Sequence, residues 1–151
     1  MIVGVISDTH GLLRPEVLPH LEDCRHIIHA GDVGDPAILE KLGAIGQVHA
    51  VRGNIDKGEW TSALPEMQWV TLAEKNICVI HDLNKLDIDP KAASLSVVIS
   101  GHTHKPHKEI RDEILFLNPG SIGPRRFSLP ISMAKLHLNE TKIEVEFVEL
   151  G

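Results

Sequence analysis

The feature that most limits what this chain can fold into is a series of short β-branched runs, most of which close on glycine and a polar cluster. Residues 2–7, 25–30, 47–51, 68–72, 77–81 and 96–100 read as strands, and several are almost continuously apolar. That pattern belongs to strands covered on both faces. Helix candidates lie between and after them. Asp35 as N-cap with Pro36 in the first helical position opens a helix over 37–42, and weaker candidates span 15–21 and 90–93. The last third changes character. Residues 113–117, 132–138 and 142–150 read as strands without an intervening helix, and 142–149 alternates polar and apolar as an antiparallel strand with one solvated face does. An α/β half followed by a β-rich half predicts two packed sheets flanked by helices.

The 151 residues predict one domain over 1–151. A net charge of −6 argues against a general electrostatic grip on extended nucleic acid or on an anionic membrane, because there is no basic excess to release counterions. A phosphate ligand would therefore need a localised positive charge. No apolar run approaches the ~20 residues that span a bilayer. The first residues lack the basic region and cleavage site of a secretory leader. Cys24 and Cys78 form no C-x-x-C pair and read as small buried apolar side chains. The expectation is a cytoplasmic protein in a reducing compartment.

Ten histidines stand against three Phe, two Trp and no Tyr. Their placement matters more than their number. The strand ends carry Asp8-Thr9-His10, Gly31-Asp32, Gly53-Asn54, His81 and Gly101-His102-Thr103-His104. Strand ends of an open α/β sheet converge on one crevice. Asp8/His10 and His102/His104 are i, i+2 pairs whose side chains share one side in extended chain. Glycine at 31, 53 and 101 permits a tight turn or a close approach ahead of each donor. Asp8, His10, Asp32, Asn54, His81, His102 and His104 are seven donors, enough for two metals at four ligands each if one carboxylate bridges. Nitrogen and oxygen donors without thiolate suit Mn²⁺, Fe or Zn²⁺ in an open site, with Ni²⁺ and Co²⁺ as further candidates. Two dications against two carboxylates leave about +2, sufficient to attract a phosphodiester anion to an acidic protein.

The ordered set D-x-H, G-D, G-N, H and G-H-x-H resembles the calcineurin-like metallophosphoesterase superfamily. Val51-Arg52-Gly53-Asn54, Asp56 and Asn118-Pro119-Gly120-Ser121 make the chain look like its small YfcE-like phosphodiesterase group. The resemblance runs from Asp8 to about Arg125. It implies a two-sheet α/β sandwich with a dinuclear site at the strand ends. Asp8, His10, Asp32 and His104 would hold one metal, and Asp32, Asn54, His81 and His102 the other, with Asp32 bridging. It further implies Mn²⁺ as the leading metal and water activated by the metals as the attacking group, with no protein nucleophile. Members are often dimers, so the resemblance allows a homo-oligomer, although no dimer patch can be read from these residues.

Two departures bear on substrate choice. Many members follow the Asn with a His thought to protonate the leaving group, and here Ile55 stands in that place, as small YfcE-like members also lack the His. Similar sequences often read H-G-H where this chain has His81-Asp82-Leu83. Arg52 and Asn54 are the substrate-binding candidates, although Arg52 can instead pair with Asp56 and brace the turn. His29 reads as packing beside the site, Arg125-Arg126 as a solvated pair, and Trp60 and Trp69 as core or interface area. The function expected is a metal-dependent phosphodiesterase acting on small phosphodiesters. The alternatives are a phosphomonoesterase or nuclease of the same fold, or a non-catalytic interaction scaffold such as the retromer subunit that keeps this fold with an incomplete ligand set.

Overall fold

The computed structural model describes residues 1–150. Its first sheet contains β1 (Ile2–Ile6), β2 (His26–His29), β3 (Gln47–Ala50), β9 (Ile131–Leu138) and β10 (Ile143–Leu150), ordered β10-β9-β1-β2-β3. Its second contains β4 (Met67–Leu72), β5 (Lys75–Ile80), β6 (Val97–Ile99), β7 (His107–Arg111) and β8 (Ile114–Asn118), ordered β4-β5-β6-β8-β7. In each sheet three parallel strands carry antiparallel neighbours: β9 and β10 on β1, and β4 and β7 on the two sides of β5, β6 and β8. The halves of the chain are thus interleaved. The C-terminal β9 and β10 complete the N-terminal sheet, and the middle of the chain supplies the other.

The sheets pack face to face over Val3, Val5, Ile28, Val79, Ile99 and Leu136. Removing such side chains from water is the main term holding the layers together, at about 25 cal/mol per Å² of apolar area. On the outer face of the first sheet, α1 (Leu18–Leu21) and α2 (Pro36–Gly43) bury Leu21 and Leu42 against Ile6, Ile27 and Met133. Asp35 caps α2 as expected, its Oδ1 accepting the Ala37 N–H at 2.9 Å. The helical flank is confined to this face. Over the second sheet, Leu83, Leu86, Ile88 and Leu95 cover Cys78 and Val98 from a segment whose only helix is a single 3₁₀ turn, Leu83–Lys85. The helix expected over 90–93 is a hydrogen-bonded turn, with Leu95 N–H donating to Pro90 C=O at 3.0 Å.

The strand β7 was not anticipated. His107-Lys108-Glu109-Ile110-Arg111 is exposed throughout, so no apolar period marks it. It is a strand because Asp112 and Glu113, both at positive φ, turn the chain back to pair with β8. No helix among the described residues is long and apolar enough to cross a membrane.

Candidate metal centre

Every donor singled out in the sequence sits beyond the carboxyl end of a strand, on the rim shared by the two sheets. The loop after β1 is laid along the loop after β2 by backbone bonds from Asp8 N–H to Gly31 C=O (3.0 Å), His10 N–H to Asp32 C=O (2.9 Å) and Gly11 N–H to Val33 C=O (2.9 Å). The i, i+2 pairs converge for a different reason from the one their spacing gives. Asp8, His10, Asp32, His102 and His104 all lie in the left-handed region, with φ between 47° and 75°, rather than in extended chain. Such conformations in non-glycine residues cost of order 1–3 kcal/mol and gather at functional sites. All three of the glycines act by close approach, and a Cβ on Gly31 would overlap the His81 ring. A Cβ on Gly53 would overlap the Asp32 carboxylate and amide, and one on Gly101 would overlap Ser7 Oγ.

Asp8 is fully buried. Its Oδ2 accepts from Ser7 Oγ (2.7 Å) and from the His102 N–H (3.1 Å). Its Oδ1 faces His104 Nε2 at 3.4 Å, His10 Nε2 at 3.7 Å and His81 Nε2 at 4.0 Å. Asp32 divides its oxygens in the same way. Oδ1 accepts the Ile55 N–H at 3.0 Å, whereas Oδ2 lies 3.2 Å from His81 Nε2 and 3.4 Å from His10 Nε2. Asp8–His10–His104 and Asp8–Asp32–His81 each gather their donor atoms within 4.8 Å. These two triads share Asp8, and Asp32 Oδ2 stands between a histidine of one and a histidine of the other. Asn54 meets the same cluster. Turned with its nitrogen inward it reaches Asp32 Oδ2 at 3.1 Å and His81 Nε2 at 3.0 Å; with its oxygen inward it adds another acceptor 3.0 Å from His81 Nε2. His102 joins through its ring, 5.2 Å from that of His81 and edge-on to it.

His81 shows what this geometry prepares. Its Nδ1 lies 2.7 Å from the Ala30 carbonyl, which only accepts, so Nδ1 carries the proton and the Nε2 lone pair points into the cluster. Burial alone would lower the His81 pKa, but the Asp32 and Asp8 carboxylates raise it above the usual histidine value. Burial pushes the Asp8 carboxyl up, and the surrounding His10, His104 and Ser7 more than reverse that, holding it well below the usual range. Asp32 is likewise held low, burial being outweighed by His81 and the Ile55 N–H. Asp8 Oδ1 and His10 Nε2 are buried with no hydrogen-bond partner among the described residues. Native interiors rarely tolerate that. Lone pairs pointed at one another without protons between them are a fit for a divalent cation, and the donor set holds no sulfur.

Residues 1–141 match the calcineurin-like phosphoesterase superfamily domain. The chain belongs to this family. A probable metallophosphoesterase of Methanocaldococcus jannaschii is 37% identical over 163 residues, covering 99% of this chain and 82% of its own length. A conserved protein of Streptococcus pneumoniae described as a predicted phosphoesterase superposes with a TM-score of 0.78 at 28% identity, over 98% of this chain and 88% of that one. The structure of a novel archaeal phosphodiesterase shares the fold with a TM-score of 0.77 at 23% identity, over 99% of this chain and 100% of that one.

Around the rim of this site, the roles of Arg52 and Asp56 differ from those expected. Arg52 does not pair with Asp56; its Nη2 reaches Glu66 Oε1 at 3.1 Å. Asp56 is buried and accepts three backbone N–H groups, from Gly34 (2.9 Å), Gly53 (2.9 Å) and Val33 (3.2 Å), strapping the Asp32 loop to the Asn54 loop. Its place six residues beyond the end of β3, two after Gly-Asn, was the available signal. His29 is a brace, as expected. It accepts the Gly31 N–H on Nδ1 (3.1 Å) and donates from Nε2 to Thr9 Oγ1 (3.0 Å), which in turn donates to the Val33 carbonyl (2.7 Å). Complete burial lowers the His29 pKa to about 4, so it stays neutral. Asp82 caps the turn after β5 by accepting the Asn84 N–H at 3.0 Å. Burial pushes both cysteine thiols up to about 11, in keeping with inert packing.

Beside Asn54, His81 and His102 opens a cleft of about 370 Å³, walled further by Arg52, Glu66 and Lys85. Its charges are mixed, and both members of the Arg52–Glu66 pair line it.

Proposed function

We propose that the chain is a metal-dependent phosphodiesterase for small phosphodiesters, with two divalent ions held by Asp8, His10, Asp32, Asn54, His81, His102 and His104. The observation that carries this reading is the two carboxylate oxygens, Asp8 Oδ1 and Asp32 Oδ2, each facing histidine nitrogens from both halves of the cluster. Bound divalent ions supply Lewis-acid polarisation of the phosphoryl group and activation of water. The chain's own work is to hold the donors in place. Ser7 and the His102 N–H occupy Asp8 Oδ2, and the Ile55 N–H occupies Asp32 Oδ1, so that in each carboxylate one oxygen is left for the centre. The Ala30 carbonyl fixes the His81 tautomer.

The cleft next to Asn54 and His102 accommodates a compact ester, and the mixed charge of its walls supports a small substrate over a polyanionic strand. Ile55, 39% exposed, offers no proton to a leaving group. General acid help is typically worth ~10²–10⁴-fold, so substrates with good leaving groups are favoured. The likeness to an archaeal phosphodiesterase supports the diester side of the reading.

The test is hydrolysis of bis-p-nitrophenyl phosphate and of p-nitrophenyl phosphate by chelator-stripped protein titrated with Mn²⁺. Diester hydrolysis that rises and saturates with Mn²⁺, and exceeds monoester hydrolysis, is expected. Preference for the monoester overturns the diesterase assignment. No activity with Mn²⁺, Ni²⁺, Co²⁺ or Zn²⁺ in folded protein would favour a scaffold.

A further inference from the structure

No donor comes from the loop between β8 and β9, yet the whole of it stands on the metal-side rim. β8 runs parallel to β6 and ends there at Asn118, and β9 runs antiparallel to β1, so its first residue, Ile131, lies level with the end of β1. Ser121 closes the neck of the loop. Its C=O accepts the Ser132 N–H at 3.0 Å, and its Oγ donates to the Asp8 C=O at 3.0 Å. Gly123 is pressed against the same donor loop, since a Cβ there would overlap the Asp8 and Thr9 carbonyl oxygens. Arg14 donates to the Ile122 and Gly123 carbonyls, both at 3.1 Å. From this braced neck residues 124–128 project into solvent. At the tip the Arg126 C=O accepts the Leu129 N–H at 3.1 Å, and within that turn sits Phe127, at φ 54° and 88% exposed. A single exposed aromatic is ordinary. One held outward on left-handed backbone is not, because a bulky residue is strained there and no burial of the ring repays the strain. The only charges in residues 119–130 are Arg125 and Arg126, both positive in a chain of net charge −6.

The cleft beside Asn54, His81 and His102 follows β3, β5 and β6, whereas this loop leads into β9, on the opposite side of β1 from β2 and β3. The donor cluster therefore has a cleft on one flank and an aromatic, cationic tip on the other. A phosphodiester has two arms on one phosphorus, one that departs and one that stays. Resting on the diesterase reading above, we infer that Phe127 is a specificity residue whose ring stacks on an aryl or nucleobase arm that stays on phosphorus, while the departing arm lies in the cleft. Arg126, beside it in the chain, adds a cation next to an anionic ligand. Hydrolysis joins the water oxygen to phosphorus and breaks the bond to the cleft-side arm. One water proton goes to the departing oxygen and the other to solvent, and a nucleotide-like monoester remains against Phe127. Four residues past Gly123, Phe127 stands at most ~14 Å from it along the chain, a gap that a nucleoside-sized arm can bridge and a methyl group cannot. A ring without hydrogen-bonding groups reads the flat face of an arm and not the identity of a base. The preference is therefore for aromatic arms as a class.

The experiment compares two diesters with the same leaving group, the p-nitrophenyl ester of thymidine 5′-phosphate and methyl p-nitrophenyl phosphate, on the Mn²⁺-loaded chain. The wild-type kcat/KM is expected to favour the thymidine ester by about tenfold, the order of one base stacked on one ring. Phe127→Ala should bring that ratio to about one. Phe127→Trp, which keeps an aromatic face, should preserve it, as should Ile110→Ala, which trims an exposed side chain on β7. A wild-type ratio near one, or a ratio that survives Phe127→Ala, overturns the inference and leaves the diesterase reading standing. Hydrolysis of neither ester overturns that reading, and binding then decides the inference separately. In the Zn²⁺-loaded chain, thymidine 5′-phosphate should shift the amide resonances of residues 125–129 where inorganic phosphate does not. Its Kd should rise about tenfold in Phe127→Ala. Unmoved resonances or an unchanged Kd overturn the inference.

Discussion

The two walls of the candidate metal centre are built to different standards. The wall made by the loops after β1, β2 and β3 is tied down at almost every residue. Three backbone bonds join the first two loops, Asp56 straps the second to the third, and the His29–Thr9 relay runs beneath them. The wall made by the loop after β5 is looser. His81 is anchored to Ala30, but beyond it the chain runs into a short turn capped by Asp82, with Lys85 exposed on the cleft. The contrast separates two tasks. Holding ions requires donors fixed to a fraction of an ångström, whereas receiving a substrate allows a wall that varies without disturbing them.

Substitutions that break the rigid wall should have the largest effects. Asp32→Ala removes the oxygen lying between His10 and His81, and metal-dependent turnover should fall to the chelated baseline; calorimetric titration with Mn²⁺ should show binding at both positions lost. Retention of full activity would sink the bridging role. Loading the wild-type centre should tighten the same wall. At 100 times the dissociation constant, Mn²⁺ adds about 2.7 kcal/mol to stability. For a chain of this size that raises Tm by roughly 5–10 °C, read by scanning calorimetry with and without chelator. An unchanged Tm would mean that the cluster holds no ion. Asp56→Ala touches no donor but leaves three backbone N–H groups unpaired, two of them buried. It should weaken metal binding by ~10–100-fold, as loss of a ligand's supporting partner does, and lower stability by about 2–4 kcal/mol; chemical denaturation beside Mn²⁺ titration separates the two effects. On the looser wall, Lys85→Ala should raise KM by no more than about fivefold and leave kcat and Mn²⁺ affinity alone. A loss of metal binding in that variant would erase the distinction between the walls.

How much of this was legible in the sequence depended on where the information lay. The donors were readable because each follows an apolar run that must be a strand, and strand ends of a parallel sheet meet on one rim. The reason they face one another was not. Five of them adopt left-handed backbone that no propensity assigns to Asp or His, and only the interlocking loops hold them there. Asp56 was visible as part of a motif, but its three backbone partners lie in two loops, and only the fold brings them together. The strand β7 and the irregular cover of the second sheet were illegible for a related reason. Their positions are set by what they pack or pair against, not by any period of their own.

The strand that carries Asp8 lies between β2 and β9, with Ile2 opposite His137 and Val5 opposite Ala134. The partner residues on β9 thus lie 129 to 135 positions further along the chain, so nothing local encloses the strand that leads into Asp8. His104, which faces Asp8 Oδ1, comes 96 residues after Asp8. Assembly of the donor cluster consequently depends on contacts across about a hundred positions of sequence, and no short segment of this chain presents the cluster by itself.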